Sequence, residues 1–140
     1  MITRKLKILL IDDDPICLKF IENLLSDSYR CVVKIACSAN QALEIIYAEN
    51  FKKNAWFDIV FIDINMPALH GHQITQIVKQ TTKELADIPF VAVTNVETAK
   101  NKNEFLKYGI DALITKPVTI NKLDNIFKKY NCYFPQKKYE

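Results

Sequence analysis

The sequence predicts an α/β protein whose parallel five-stranded sheet is covered by helices on both faces. Three observations predict it. Short apolar segments alternate with longer stretches of helical period, the pattern of repeated β-α units on a parallel sheet. Three of the five apolar segments are nearly all hydrophobic, as strands buried on both faces must be. The polar residues that interrupt these segments fall at their C-terminal ends, the edge at which open α/β sheets bind ligands.

The elements follow in order. Leu6–Ile11 is the first strand, and Asp14 before Pro15 supplies an N-cap for a helix over Ile16–Leu25. Proline is harmless at a first helical position because its missing N–H would have no partner there. Leu18, Ile21, Leu24 and Leu25 form one apolar stripe of that helix. Cys31–Ala36 is the second strand, and Asn40–Glu49 the second helix, with Ala42, Leu43, Ile46 and Tyr47 on its stripe. Phe51–Phe57 has no clear period, holds the only Trp, and reads as a long connection to a third strand over Asp58–Ile62. Gln73–Thr82 repeats the helical pattern with Ile74, Ile77 and Val78, and Phe90–Val93 is the fourth strand. Thr98–Tyr108 is a more polar helix, followed by Gly109 where a left-handed cap is wanted. Ala112–Ile114 is the fifth strand, and Ile120–Tyr130 the fifth helix, with Leu123, Ile126 and Phe127 inward. Asn131–Glu140 reads as a frayed tail, which leaves one domain over residues 1–130.

A chain of 140 residues with 49% hydrophobic and 25% charged residues has the size and composition of a single globular domain with one core. The net charge of +3 comes from scattered lysines, which excludes the clustered basic face that nucleic acid requires. The apolar run Ile8–Ile11 is far too short for a signal peptide or a membrane span, so the expected location is cytoplasmic. Cys17, Cys31, Cys37 and Cys132 form no C-x-x-C pair and read as reduced structural thiols.

The chemistry concentrates at the strand ends. Asp12-Asp13-Asp14 follows the first strand, Asp63 the third, Thr94-Asn95 the fourth and Thr115-Lys116-Pro117 the fifth. Asp14 is explained as a helix cap. Asp12 and Asp13 repel each other unless a cation neutralises them, and Asp63, within Val60-Phe61-Ile62-Asp63-Ile64, is costly to bury unpaired. Mg²⁺ takes hard oxygen ligands of this kind. Asp63 is then the candidate nucleophile, since a carboxylate can attack phosphorus when its charge is offset. Lys116 can pair with Asp63 or with a phosphoryl oxygen, and the Thr94 hydroxyl can donate to another. His70 and His72 read as solvated loop or helix-start residues rather than phosphocarriers.

These motifs resemble the response-regulator receiver family over roughly residues 5–130. Ile8-Leu-Leu-Ile-Asp12-Asp13-Asp14 is similar to its acidic first-strand motif, Asp58-Ile-Val-Phe-Ile-Asp63-Ile-Asn-Met66-Pro67 to its phosphoacceptor motif, and Thr115-Lys116-Pro117 to its lysine motif. The resemblance implies a sheet of order 2-1-3-4-5 and Mg²⁺ held by Asp12, Asp13, Asp63 and the Asn65 carbonyl. It also implies phosphorylation of Asp63, contacts from Thr94 and Lys116 to the phosphoryl group, and a cis Lys116–Pro117 peptide. Gly71 matches the glycine after the Met-Pro turn. The implied donor is a phosphohistidine on a histidine kinase or phosphotransfer protein, and the implied output is a change in binding to a downstream protein or onward relay.

Two positions depart from the family: Asn95, where a small residue is usual, and Leu113, where many members carry an aromatic. Three rival readings share some of these features. A haloacid-dehalogenase-type phosphatase would use Asp12-x-Asp14 but leave Asp63 unexplained. An FMN-binding flavodoxin would need a Ser/Thr/Gly-rich loop where three Asp stand. A pseudo-receiver that binds partners without phosphorylation is the runner-up.

Overall fold

The computed structural model describes residues 5–50, 57–64, 71–80, 86–95 and 102–130. β1 (Leu6–Ile11) is followed by α1 (Pro15–Ser28), β2 (Cys31–Ala36), α2 (Ala39–Asn50) and β3 (Ile59–Asp63). Then come α3 (Gly71–Lys79), β4 (Phe90–Thr94), α4 (Lys102–Leu106), β5 (Ala112–Thr115) and α5 (Ile120–Lys129). All strand pairs are parallel, and the strand order is β2-β1-β3-β4-β5, as expected. Among the described residues, four helices have nine residues or more, and α4 has only five.

Strand alternation splits the core into two layers. On one face Ile8, Leu10, Ile59, Phe61, Val91 and Ile114 pack against Leu18, Ile21 and Leu25 of α1 and Leu123, Ile126 and Phe127 of α5. On the other, Leu9, Ile11, Val60, Ile62 and Ala92 meet Ala42 and Ile46 of α2, Ile74 and Val78 of α3, and Phe105 of α4. Full burial of one such side chain contributes roughly 1.5–3 kcal/mol. The exposed Lys19–Glu22 pair at 3.4 Å on α1 is worth at most about 0.5 kcal/mol after screening, so the two apolar layers set the architecture.

Element ends differ from the sequence reading in instructive ways. The Asp14 carboxylate accepts from the Ile16 N–H at 2.9 Å and caps α1 as expected, but α1 continues to Ser28, three residues past the last apolar pair. α2 starts at Ala39 because Ser38 Oγ accepts from the Gln41 N–H at 3.1 Å, while Gln41 Oε1 reaches back to the Cys37 N–H at 2.6 Å, a reciprocal cap of the S-x-x-Q type. α3 ends at Lys79, short of Thr82, and Tyr130 is the C-cap of α5 rather than its last residue. β3, β4 and β5 each run one residue further than expected, so Asp63, Thr94 and Thr115 lie within their strands. All but the last residue of the connection expected over Phe51–Phe57 and the tail over 131–140 lie outside the described residues, as does the start of the helix expected from Thr98.

At the edge opposite the strand C-termini, Asp111 is a hub. Its Oδ2 accepts from Lys79 Nζ and from the Phe90 N–H, each at 2.7 Å, tying the end of α3 to the start of β4. Gly109 has φ +94°, and a Cβ there would stand 3.0 Å from Lys79 Cδ. Gly109→Ala combines this conformational strain with a push on the Lys79 stem, and is expected to lower unfolding free energy by about 1–2 kcal/mol. Urea titration checks it; an unchanged midpoint would show that the turn adapts freely.

Candidate functional site

The sheet register sets the site. Ile11 of β1 is paired with Ile62 of β3, Asp63 with Val93 of β4, and Thr94 with Thr115 of β5. Asp12, Asp63, Thr94 and Lys116 therefore arrive side by side at one sheet edge. Asp12 is anchored from both sides: its N–H donates to the Ala36 carbonyl at 3.1 Å, and its Oδ1 accepts from the Asp14 N–H at 2.9 Å.

One carboxylate oxygen from each of Asp12, Asp13 and Asp63 lies within 4.8 Å of the others. Asp12 and Asp63 are buried and Asp13 is exposed, so the cluster opens to solvent on the Asp13 side. Three anions this close repel strongly in a partly desolvated site. Lys116 offsets part of that charge, with its Nζ 3.8 Å from Asp63 Oδ2. The donor set is all hard oxygen, with an open side for water and phosphate, and this fits Mg²⁺.

Thr94 is fully buried at the end of β4, and its carbonyl accepts from the Lys116 N–H at 2.8 Å. The Lys116–Pro117 peptide is cis. Asn95 is exposed, and Leu113 is half-buried against the α2–α3 layer. Asn65 and His70 lie outside the described residues, and His72 falls in α3. A small pocket beside the site is lined by Leu10, Leu18, Ile21, Phe61 and Val93 together with Asp12 and Asp63.

Two residues to which the sequence reading gives no place at the site reach this edge. The Cys17 thiol is pushed up to about 12, first by burial and then by the neighbouring Asp12 carboxylate. It stays protonated at neutral pH and is a poor nucleophile. Cys17 and Cys31 are half-buried, but Cys37 is exposed, which corrects its reading as a structural thiol; Cys132 lies outside the described residues. The second residue is Lys122, whose ammonium lies on the turn that carries Lys116.

The family model described as "Response regulator receiver domain" matches residues 8–128. The sensor histidine kinase GacS of Pseudomonas protegens is 31% identical over 130 residues, covering 91% of this chain and 13% of its own length. The sensor histidine kinase RcsC of Salmonella typhi is 35% identical over 124 residues, covering 88% of this chain and 12% of its own length. The chain thus spans only a small part of each relative. Among solved structures, a response regulator receiver domain protein from Clostridium thermocellum superposes with TM-score 0.75 at 28% identity, over 89% of this chain and 93% of that one. A chain from a Saccharomyces cerevisiae co-crystal of a histidine phosphotransfer protein with a response-regulator receiver domain gives TM-score 0.77 at 19% identity, over 94% of this chain and 92% of that one. The latter is a likeness of fold.

Proposed function

The chain belongs to the response regulator receiver domain family of two-component signalling, and on that premise we propose that it is a phosphorylation switch. In this reading Asp63 takes a phosphoryl group from a phosphohistidine donor in a Mg²⁺-dependent reaction that it largely catalyses itself. The carrying observation is the convergence of the Asp12, Asp13 and Asp63 carboxylates within 4.8 Å, with Lys116 Nζ 3.8 Å from Asp63 Oδ2.

In the proposed step an Asp63 oxygen attacks phosphorus, the P–N bond of the donor breaks, and the imidazole leaves with the electron pair and takes up a proton. Asp12, Asp13 and Asp63, with the Asn65 carbonyl, would hold Mg²⁺, which when bound supplies positive charge against the two anions that must meet. Lys116 moves from Asp63 to a phosphoryl oxygen, and the Thr94 hydroxyl donates to another. The added charge of nearly two units at Asp63 biases the surrounding loops and alters partner binding, or the phosphoryl group passes onward. The proposed donor is a histidine kinase or a histidine phosphotransfer protein, consistent with the sensor kinases to which the chain is similar. A cytoplasmic location, and residues 1–130 as the signalling unit, belong to the same proposal. No described helix is long and apolar enough to cross a membrane.

The phosphatase reading leaves Asp63 unexplained, and the acid-base residue it needs, Asp14, serves as the α1 cap through the hydrogen bond from the Ile16 N–H to its Oδ1, which favours the receiver reading.

The test is incubation of the purified chain with acetyl phosphate, with Mg²⁺ or with EDTA, followed by intact-mass spectrometry. A Mg²⁺-dependent phosphoryl adduct is expected; a folded chain that stays unlabelled beside a labelled control receiver sinks the proposal. In the same assay Lys116→Met is expected to slow adduct formation about a hundredfold, the lower end for loss of one group that stabilises transition-state charge. The lower end applies because Lys116 is part-exposed and water screens its charge. A wild-type rate in that variant would remove Lys116 from the chemistry.

A further inference from the structure

Lys116 can serve Asp63 only if its backbone is held where a four-carbon stem brings the ammonium to the carboxylate. One side of that backbone is fixed by β4, through the 2.8 Å hydrogen bond from the Lys116 N–H to the Thr94 carbonyl. The other side faces away from β4, at the end of the edge strand β5, beside which the sheet has no further strand.

Lys122 supplies the missing partner. Its ammonium donates to the Thr115 carbonyl at 2.8 Å, to Thr115 Oγ1 at 3.1 Å and to the Pro117 carbonyl at 3.0 Å. An ammonium has three N–H donors, and these three acceptors account for all of them. The two carbonyls flank Lys116 in sequence, so one side chain brackets it.

The placement of Lys122 is otherwise unfavourable. It lies in the first turn of α5, which carries no acidic residue, and its backbone N–H is held by the Thr119 cap at 3.3 Å. A cation there faces the positive end of the helix dipole, and its stem must fold back over the turn. The hydrogen bonds to the Lys116 turn offset that cost. The distance from Lys116 Nζ to Asp63 Oδ2, 3.8 Å, exceeds hydrogen-bond length, so the reach of Lys116 depends on where its backbone is pinned.

We propose that Lys122 is a positioning residue for phosphoryl transfer to Asp63, holding the Thr115–Pro117 turn so that Lys116 meets the phosphoryl group. This rests on the reading of Asp63 as phosphoacceptor. The bracket works through Lys116 alone, and that distinguishes it from a staple that only stabilises the fold.

The experiment is the acetyl phosphate time course at saturating Mg²⁺, well below every unfolding midpoint, on wild type, Lys122→Met, Lys122→Arg and Lys116→Met with and without Lys122→Met. Lys122→Met is expected to label roughly tenfold more slowly, within the hundredfold that misplacement of a catalytic group can cost. Lys122→Arg, which keeps charge and donors, recovers most of the rate. In the Lys116→Met background, Lys122→Met adds no further slowing, the mark of two residues acting as one unit. A wild-type rate in Lys122→Met overturns the inference whatever its melting temperature, and so does equal slowing in the Lys116→Met background. Should Lys122→Met fail to fold, Lys122→Gln is read by the same criteria. An unlabelled wild type overturns the phosphoacceptor reading itself, and the inference falls with it.

Discussion

Asp63→Asn is expected to abolish the Mg²⁺-dependent phosphoryl adduct while leaving the protein folded. Asparagine keeps the shape of aspartate and its hydrogen-bonding oxygen, but it has lost the anionic nucleophile that forms an acyl phosphate. The fold should tolerate the change because the site is electrostatically strained without a cation. Asp12 and Asp63 are buried, and their oxygens and that of Asp13 lie within 4.8 Å of one another. Removal of one charge relieves repulsion that the partly exposed Lys116, 3.8 Å away, only partly offsets. Without Mg²⁺ the variant is therefore expected to melt no lower than wild type. With Mg²⁺ the wild type gains stability through binding to the folded state, by about 2.7 kcal/mol at a hundredfold excess over Kd, and the variant gains less. The paired readout separates lost chemistry from lost structure. An adduct persisting in Asp63→Asn at the wild-type rate would move the acceptor to another residue, with Asp12 and Asp13 next to be tested.

The acidic edge was legible because charge is rare in buried strands. Asp63 at the end of Val60-Phe61-Ile62 and Lys116 at the end of the fifth apolar segment could not be explained as packing. The strand-end shifts were not legible: Asp63 joins β3 because Val93 of β4 stands beside it, and a period along one chain carries no record of what lies across the sheet. Strand order, similarly, came from family resemblance and not from the pattern of segments. The helix ends failed for two different reasons. The Ser38-x-x-Gln41 cap is present in the sequence and marks the start of α2, whereas α1 outruns its apolar stripe through the polar residues Ser26, Asp27 and Ser28, which add no apolar period. Pairings between distant segments were invisible. Lys79–Asp111 joins residues 32 positions apart, and the hydrogen bond from the Tyr29 hydroxyl to the Asp124 carboxylate spans 95. Lys122 was hidden for a third reason: a lysine in a helix reads as solvated surface until its acceptors are seen.

Phe61→Ala is expected to cost about 3–5 kcal/mol of unfolding free energy, the range for emptying a buried aromatic site. That is a large share of the roughly 5–15 kcal/mol typical of a domain. Phe61 is 2% exposed and meets the edge of Phe127 on α5, with ring centroids 6.1 Å apart at 82°. Phe127 in turn meets Tyr29 at 5.0 Å and 78°, and the Tyr29 hydroxyl is held by Asp124 of α5. The three rings link the centre of β3 through α5 to the end of α1, so truncation of Phe61 removes the sheet end of that chain. Relief by collapse is limited, because Phe61 already borders the pocket with Leu10, Leu18, Ile21 and Val93; the new void adds to space that these side chains have not filled. Phe61 and Asp63 are two residues apart on β3 and share a face, so the void opens beneath the carboxylate cluster. Phe61→Leu, which retains much of the volume, is expected to lose about half as much. Urea unfolding followed by circular dichroism measures both variants, and a loss under about 1 kcal/mol in Phe61→Ala would show that α1 closes onto the sheet, contrary to a rigid, close-packed interior.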